Sequence, residues 1–206
     1  MQRRLLGAAS ALCLLAATAH AADNDKAASP KPGTRSETMS AVKDSASAMV
    51  GTISAEMTST TKGFVTAAAT SDMYEVQAGQ IAEQRASSAA VKDFAAEMVK
   101  AHTGTTEKLK SIIAANHIDV TPPASLDTRR QSMIDDLKGA KAADFDHRYL
   151  EQQEAAHKEA RILMRGYAKD GDNAAVKKFA ATTLPAVEHH LKMVEDLESK
   201  EKPASR

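Results

Sequence analysis

Apolar side chains recur every three or four positions along four long runs of this chain, the period of helices that each bury one face. The first run, about residues 63–85, carries Phe64, Ala67/Ala68, Ser71, Tyr74/Glu75, Ala78 and Ile81/Ala82 on its stripe. The second, about 89–115, carries Val91, Phe94/Ala95, Met98/Val99, His102, Thr105, Leu109 and Ile112/Ile113. Two more fill 145–197, with a break at Asp170-Gly171-Asp172. One stripe runs through Phe145, Leu150, Gln153, Ala156/His157, Ala160, Leu163/Met164 and Tyr167. The other runs through Val176, Phe179/Ala180, Thr183/Leu184, Val187, His190/Leu191 and Val194 to Leu197.

Punctuation between the runs fixes their order. Ser87 and Ser88 offer an N-cap to the second helix, and Asn116 followed by Pro122-Pro123 ends it. Ser125 is expected to cap a short helix that turns Met133, Ile134 and Leu137 inward and stops near Gly139. Hairpin, long connection with a short helix, and hairpin is the order of an all-α, ferritin-like four-helix bundle with a crossover, expected over 63–199. Gly79 and Gly104, isolated inside helices, point to close helix packing. Residues 200–206 read as a disordered tail.

Ahead of the bundle the pattern changes twice. Residues 37–60 draw one stripe through Met39, Val42, Ala46, Met49, Ile53 and Met57, which predicts an extra amphipathic helix. Residues 22–36, with Pro30, Pro32 and Gly33 among small polar residues, read as a flexible linker. Residues 1–21 have the physics of a cleaved export signal: Arg3 and Arg4, an apolar stretch from Leu5 to Thr18, and Ala19-His20-Ala21 at the end. Export implies a periplasmic protein, with the outer membrane as an alternative place of attachment.

Composition narrows the classes. Aromatics make up 3 % and tryptophan is absent, which suits helices rather than a sandwich or barrel. Lys+Arg and Asp+Glu are 27 each and are interspersed, so the basic stripe that nucleic-acid binding needs is missing. Cleavage after residue 21 would remove Arg3 and Arg4, leaving 25 basic against 27 acidic residues, a net charge near −2. It would also remove Cys13, the only cysteine, and with it any disulfide or thiolate ligand. No nucleophile triad is readable, and no Cys-x-x-Cys-His marks a haem.

The chemistry then rests on four inward residues, one per long helix: Glu75, His102, His157 and His190. Glu75 precedes the first hairpin turn by about 11 residues and His102 follows it by about 15; for His157 and His190 the spans are about 14 and 19, a mismatch of about one helical turn each. The four can therefore share a layer. Three imidazoles and a carboxylate suit iron, zinc, manganese or copper. Against this stands the reading in which each histidine is a core residue hydrogen-bonded to a carboxylate. Glu154 and His157 form one Glu-x-x-His, whereas a carboxylate-bridged di-iron site needs two; Val99 and Val187 stand where the others would be. Asp146 and Tyr149, two to three turns before His157, are read as fold-locking or supporting polar groups, and Pro185 as a kink that either aims His190 or only curves the helix around the core. Met98, Met164 and Met193 near the histidines would favour copper, though methionine at helical spacing is usually core.

Tyr74-Glu75-Val76, Ala82-Glu83-Gln84, the run from Phe94 to Thr103, Phe145 to Leu150, Ala156-His157, and Phe179-Ala180 through Thr183-Leu184-Pro185 to Glu188-His189-His190-Leu191 together resemble a bacterial family of exported proteins. The family has a ferritin-like domain of unknown function, and its members carry outer-membrane or periplasmic labels. The resemblance spans about 64–198, implies export and a ferritin-like bundle, and falls on Glu75, His102, Asp146, Tyr149, His157, Pro185 and His190. It brings no activity. The expectation is an exported metal-binding protein described by role rather than by reaction: binding, sensing or protection under stress. The rival is an envelope structural or interaction protein that meets an envelope partner or membrane surface through 37–60. A metal-dependent oxidase is a third reading.

Overall fold

Each break in the apolar pattern marks a helix end in the computed structural model, which describes residues 53–201. Six helices follow in order and, among the described residues, there is no strand: α1 (Ala55–Ser59), α2 (Thr61–Arg85), α3 (Ala89–Ala115), α4 (Thr128–Gly139), α5 (Ala142–Asp170) and α6 (Ala174–Glu201). The protein is all-α. The expected signal, the linker and residues 37–52 of the expected 37–60 helix lie outside the described residues. At the end of that stretch Ile53 and Ser54 are not helical, and Ser54 instead caps the five-residue α1. The expected tail begins two residues inside α6, whose last helical residue is Glu201; the remainder lies outside the described residues.

The four long helices pack in a ring. α2 pairs with α3 and α5 with α6, while α2 also meets α5 and α3 also meets α6. Polar locks fix their directions. At one end Thr61 Oγ1 lies 2.9 Å from Tyr167 Oη, Tyr167 donates to Asp172 at 2.8 Å, and the Asp172 amide donates to the Ser59 carbonyl. The start of α2 is thereby tied to the end of α5. At the other end the Asp146 carboxylate, near the start of α5, accepts from the amides of Ser87 and Ser88 and from Ser87 Oγ at 2.6–3.1 Å. α3 and α5 thus start at the same end.

Capping differs in detail from what the local sequence suggested. Ser88 sits at the N-cap of α3 but its hydroxyl makes no capping bond; Asp146 of α5 instead accepts from the amides of Ser87 and Ser88 just ahead of the helix. Of the two readings of Asp146, fold-locking or supporting, the contact is a fold-locking one between α5 and the start of α3. α4 is capped by Asp127, not Ser125: its carboxylate accepts from the Arg130 amide at 2.8 Å and from the Arg130 guanidinium. A carboxylate at a helix start also meets the positive end of the helix dipole. Arg130 and Arg129 both reach Glu159 of α5, and Arg85 binds the carbonyls at the far end of α4 while lying 4.8 Å over the Phe145 ring. The crossover is therefore fastened at both ends.

Packing inside the ring falls into two apolar clusters. One is built around Phe94, Met98, Tyr149, Leu150, Leu191 and Val194. The other is built around Phe64, Leu109, Leu163, Tyr167, Phe179 and Val187. Gly79 lets α2 and α3 approach closely, since a Cβ there would lie 2.7 Å from Val99 Cγ2 and 3.0 Å from the Ala95 carbonyl. Gly104 faces open space, so close packing does not explain it. Gly166 leaves room for Thr58, which seats α1 against α5. α6 continues through Pro185, whose side chain is exposed.

Candidate metal centre

Between the two apolar clusters lies a layer of buried polar side chains. His102 stands on α3 between Met98 and Leu109, His157 on α5 beside Ala156 and Ala160, and His190 on α6 between Val187 and Leu191. Helical periodicity places each imidazole on the stripe that its apolar neighbours drive inward. All three are buried, with His157 only 1 % exposed. One ligand nitrogen from each ring lies within 4.8 Å of the others, and the ring centroids are 5.6–5.9 Å apart.

The other face of each ring explains how they are held. His102 Nδ1 lies 2.8 Å from Asp72 Oδ1, and Asp72 Oδ2 accepts from the hydroxyls of Thr105 and Thr106. His157 Nδ1 lies 2.9 Å from the Gln153 carbonyl oxygen. Because both partners are acceptors, both Nδ1 atoms carry a proton in the neutral ring, and both Nε2 atoms are left as lone pairs. His190 Nε2 faces Glu97 Oε1 at 3.9 Å. The buried nitrogens of these rings without a hydrogen-bond partner are His102 Nε2, His157 Nε2 and His190 Nδ1.

Such a cluster is electrostatically unusual. Burial, helped by positive charge on His102, holds His157 down to about 3; burial and the same charge hold His190 down to about 4. Both rings are therefore neutral near pH 7. His102 goes the other way: burial lowers it, but the Asp72 hydrogen bond and the nearby Glu75 charge outweigh that and raise it. The layer accepts one positive charge in its middle and resists a second proton.

Of the four expected ligands, the structure brings together the three histidines and leaves Glu75 outside their convergence. Glu75 Oε1 is 3.9 Å from His157 Nδ1, the nitrogen already committed to Gln153, and Oε2 has no partner. Burial, only partly offset by His102, raises Glu75 to about 7. A one-turn tolerance along α2 was too coarse to separate Glu75 from Asp72, three residues earlier on the same face. Asp72 is the residue that sequence reasoning missed. Its signal was there: it is the only charged residue from Phe64 to Met73.

The remaining expectations sort cleanly. Glu154 turns away and pairs with Lys158 at 2.6 Å, so the lone Glu-x-x-His gives one ligand and no carboxylate. Tyr149 is fully buried against Phe145 and Phe94; burial and then Glu75 raise its phenol, whose oxygen has no hydrogen-bond partner. Asp146 is spent on the α3 cap. Pro185 is exposed one and a half turns before His190 and contributes no donor. Met98 is core, whereas Met164 joins His102 and His190 around a cavity.

Metal–nitrogen bonds of about 2.0–2.1 Å in a tetrahedral site set ligand nitrogens about 3.3 Å apart, so each ring would close in by less than about 1 Å. That is within the reach of a small χ adjustment. Three buried imidazoles, two of them with hydrogen-bonded outer partners, fit a transition metal that keeps a coordination position free.

A family model described as a domain of unknown function (DUF4142) matches residues 45–197. No curated protein and no solved structure matches the chain.

Proposed function

The chain belongs to the DUF4142 family of domains of unknown function, which supplies no activity to inherit, and we propose from its own residues that it binds a divalent transition metal through His102, His157 and His190. One observation carries this reading: three buried imidazoles converge, each has a buried nitrogen with no hydrogen-bond partner, and on His102 and His157 the other nitrogen is held by an acceptor. Leaving a buried polar group unpaired costs roughly 1–3 kcal/mol. A water can donate to two of the three, and a proton on His102 satisfies one neighbour; a cation satisfies all three at once. Packed core histidines would be expected to aim such nitrogens at donors instead.

With Glu75 outside the convergence, the donor set is nitrogen only. Imidazole suits zinc, copper and iron, while manganese prefers oxygen donors, so the balance moves away from manganese. The ring of four long helices with its fastened crossover supports a ferritin-like four-helix bundle. A second Glu-x-x-His is absent, so iron storage or a di-iron oxidase finds no support. Export to the periplasm remains our reading of residues 1–21; among the described residues no helix is long and apolar enough to cross a membrane. A protective or sensing role in the envelope is the function that a metal binder in that compartment would serve.

Calorimetric titration of the metal-free protein with Zn(II), paired with elemental analysis, tests the reading. One ion per chain is expected for the wild type. The His102→Ala/His157→Ala double variant should bind none while keeping its far-ultraviolet circular dichroism. If the wild type binds no Zn(II), Cu(II), or Fe(II) under reducing conditions, the histidines are a packed polar layer, and the interaction-protein reading takes over.

A further inference from the structure

A cavity of about 170 Å³ adjoins the histidine layer on the side of His102 and His190. Its walls are mostly small or apolar, with Ala68, Ala160, Leu163, Met164 and Val187 around it. Besides the imidazoles, the hydroxyls of Ser71, Thr105 and Thr183 add neutral polar groups, and Asp72 is already committed to His102, Thr105 and Thr106. No lysine or arginine lines it. Four alanines in the wall come from four different helices: Ala68 on α2, Ala101 on α3, Ala160 on α5 and Ala186 on α6. Space left by side chains so short is not closed by the apolar residues packed beyond them.

The cavity has a way out. Most of its lining is buried, but Ala101 on α3 is half-buried and Ala186 on α6 is exposed. It therefore reaches the surface between α3 and α6. Farther along that seam Lys108 donates to Thr182 at 3.3 Å and lies 5.8 Å over the Phe179 ring, which bridges the same two helices.

Resting on the metal reading above, we propose that this cavity is the ligand pocket of the three-histidine centre. It takes a small, uncharged, largely apolar molecule whose single donor atom fills the metal's open position. Size sets the class. An apolar cavity of about 150 Å³ holds one benzene, so this one holds about six heavy atoms and excludes peptides, sugars and nucleotides. Charge sets it further: an anion would bring no counter-charge to the walls beyond the metal itself, and an organic cation would meet the metal's like charge. A centre with three protein ligands and a dry, shaped pocket beside its fourth position is arranged to bind an exogenous molecule rather than to serve only as a structural clamp.

The experiment uses Co(II) as a visible metal and pyridine as the donor probe, since pyridine is uncharged at neutral pH and fits the volume. On the Co(II)-loaded full chain, pyridine should shift the visible d–d bands saturably, and benzene should compete without shifting them itself. Ala160→Leu fills the pocket, and Ala186→Leu narrows its mouth. Both should keep one Co(II) per chain but weaken the pyridine response by about tenfold or more through steric exclusion. The surface position of Ala186 makes the second variant informative should the first fail to fold. A bound Co(II) that ignores pyridine, or a pyridine shift unchanged in both variants, overturns the pocket while leaving the metal reading in place. Failure of Co(II) to bind at all overturns both.

Discussion

Tautomers at this centre are decided by atoms outside it. A carboxylate behind His102 and a backbone carbonyl behind His157 each hold an Nδ1 proton, so the inner nitrogens are lone pairs before any ion arrives. Asp72 is the sharper case, since its second oxygen is locked by two threonine hydroxyls and cannot swing away freely. Asp72→Asn keeps the shape but removes the charge that raises the basicity of His102. It should weaken Zn(II) binding about 10–100-fold by calorimetry, with helicity unchanged. Glu75→Gln, by contrast, should leave the stoichiometry at one, because Glu75 stands on the committed side of His157. Equal losses from the two variants would put Glu75 back among the ligands.

Helix-level features show how little a local rule says about its own reason. Gly79 and Gly104 look alike in sequence, yet one is pressed against Val99 and the Ala95 carbonyl and the other faces open space. Gly79→Ala should lower stability by about 1–3 kcal/mol through overpacking. Gly104→Ala should raise it by about 0.5–1 kcal/mol, since only helix propensity changes at an exposed site. Urea unfolding of the two variants beside the wild type reads both signs; a shared sign would mean that α2 and α3 do not pack as described. The caps teach the same lesson. Ser88 and Ser125 are capping residue types in plausible places, but a carboxylate from another helix took the first role and Asp127 took the second.

Across the whole molecule, the polar layer couples folding to pH. His157 and His190 bind protons less tightly folded than unfolded, where the ordinary value is 6.5, so each withdraws stability as pH falls below that value toward about 3 and about 4. Glu75 has the opposite sign: raised from 4.5 to about 7, its contribution is complete below 4.5 and is lost as pH rises through 7. His102 is raised, so its contribution is complete below 6.5 and lost above. Between pH 6.5 and 4.5 two losses oppose one gain, a net fall of about 1.4 kcal/mol per pH unit on acidification. Denaturant unfolding of the metal-free protein should show that slope, and His157→Gln should flatten it by removing one loss. A wild type that gains stability on acidification over that range would contradict the signs. Bound metal should steepen the fall, because protons then compete directly with the ion.

Periodicity alone determined the four long helices, their inward faces and the three histidines on them, because a 3.6-residue repeat is a local property that burial merely exposes. It also carried the order of hairpin, crossover and hairpin, since turn residues act within a few positions of themselves. What it could not settle was axial height. Within a hairpin, a turn's geometry and the tilt of two helices shift facing residues by up to a turn, and that shift separates Asp72 from Glu75 as the residue behind His102. Asp146 shows the same limit across helices: nothing near it in sequence announces that it caps α3, because the contact exists only once α5 is laid beside that end. The cavity is the furthest from the sequence. Alanines on α2, α3, α5 and α6 are unremarkable one by one, and only their meeting beside His102 and His190 leaves a space against those two histidines.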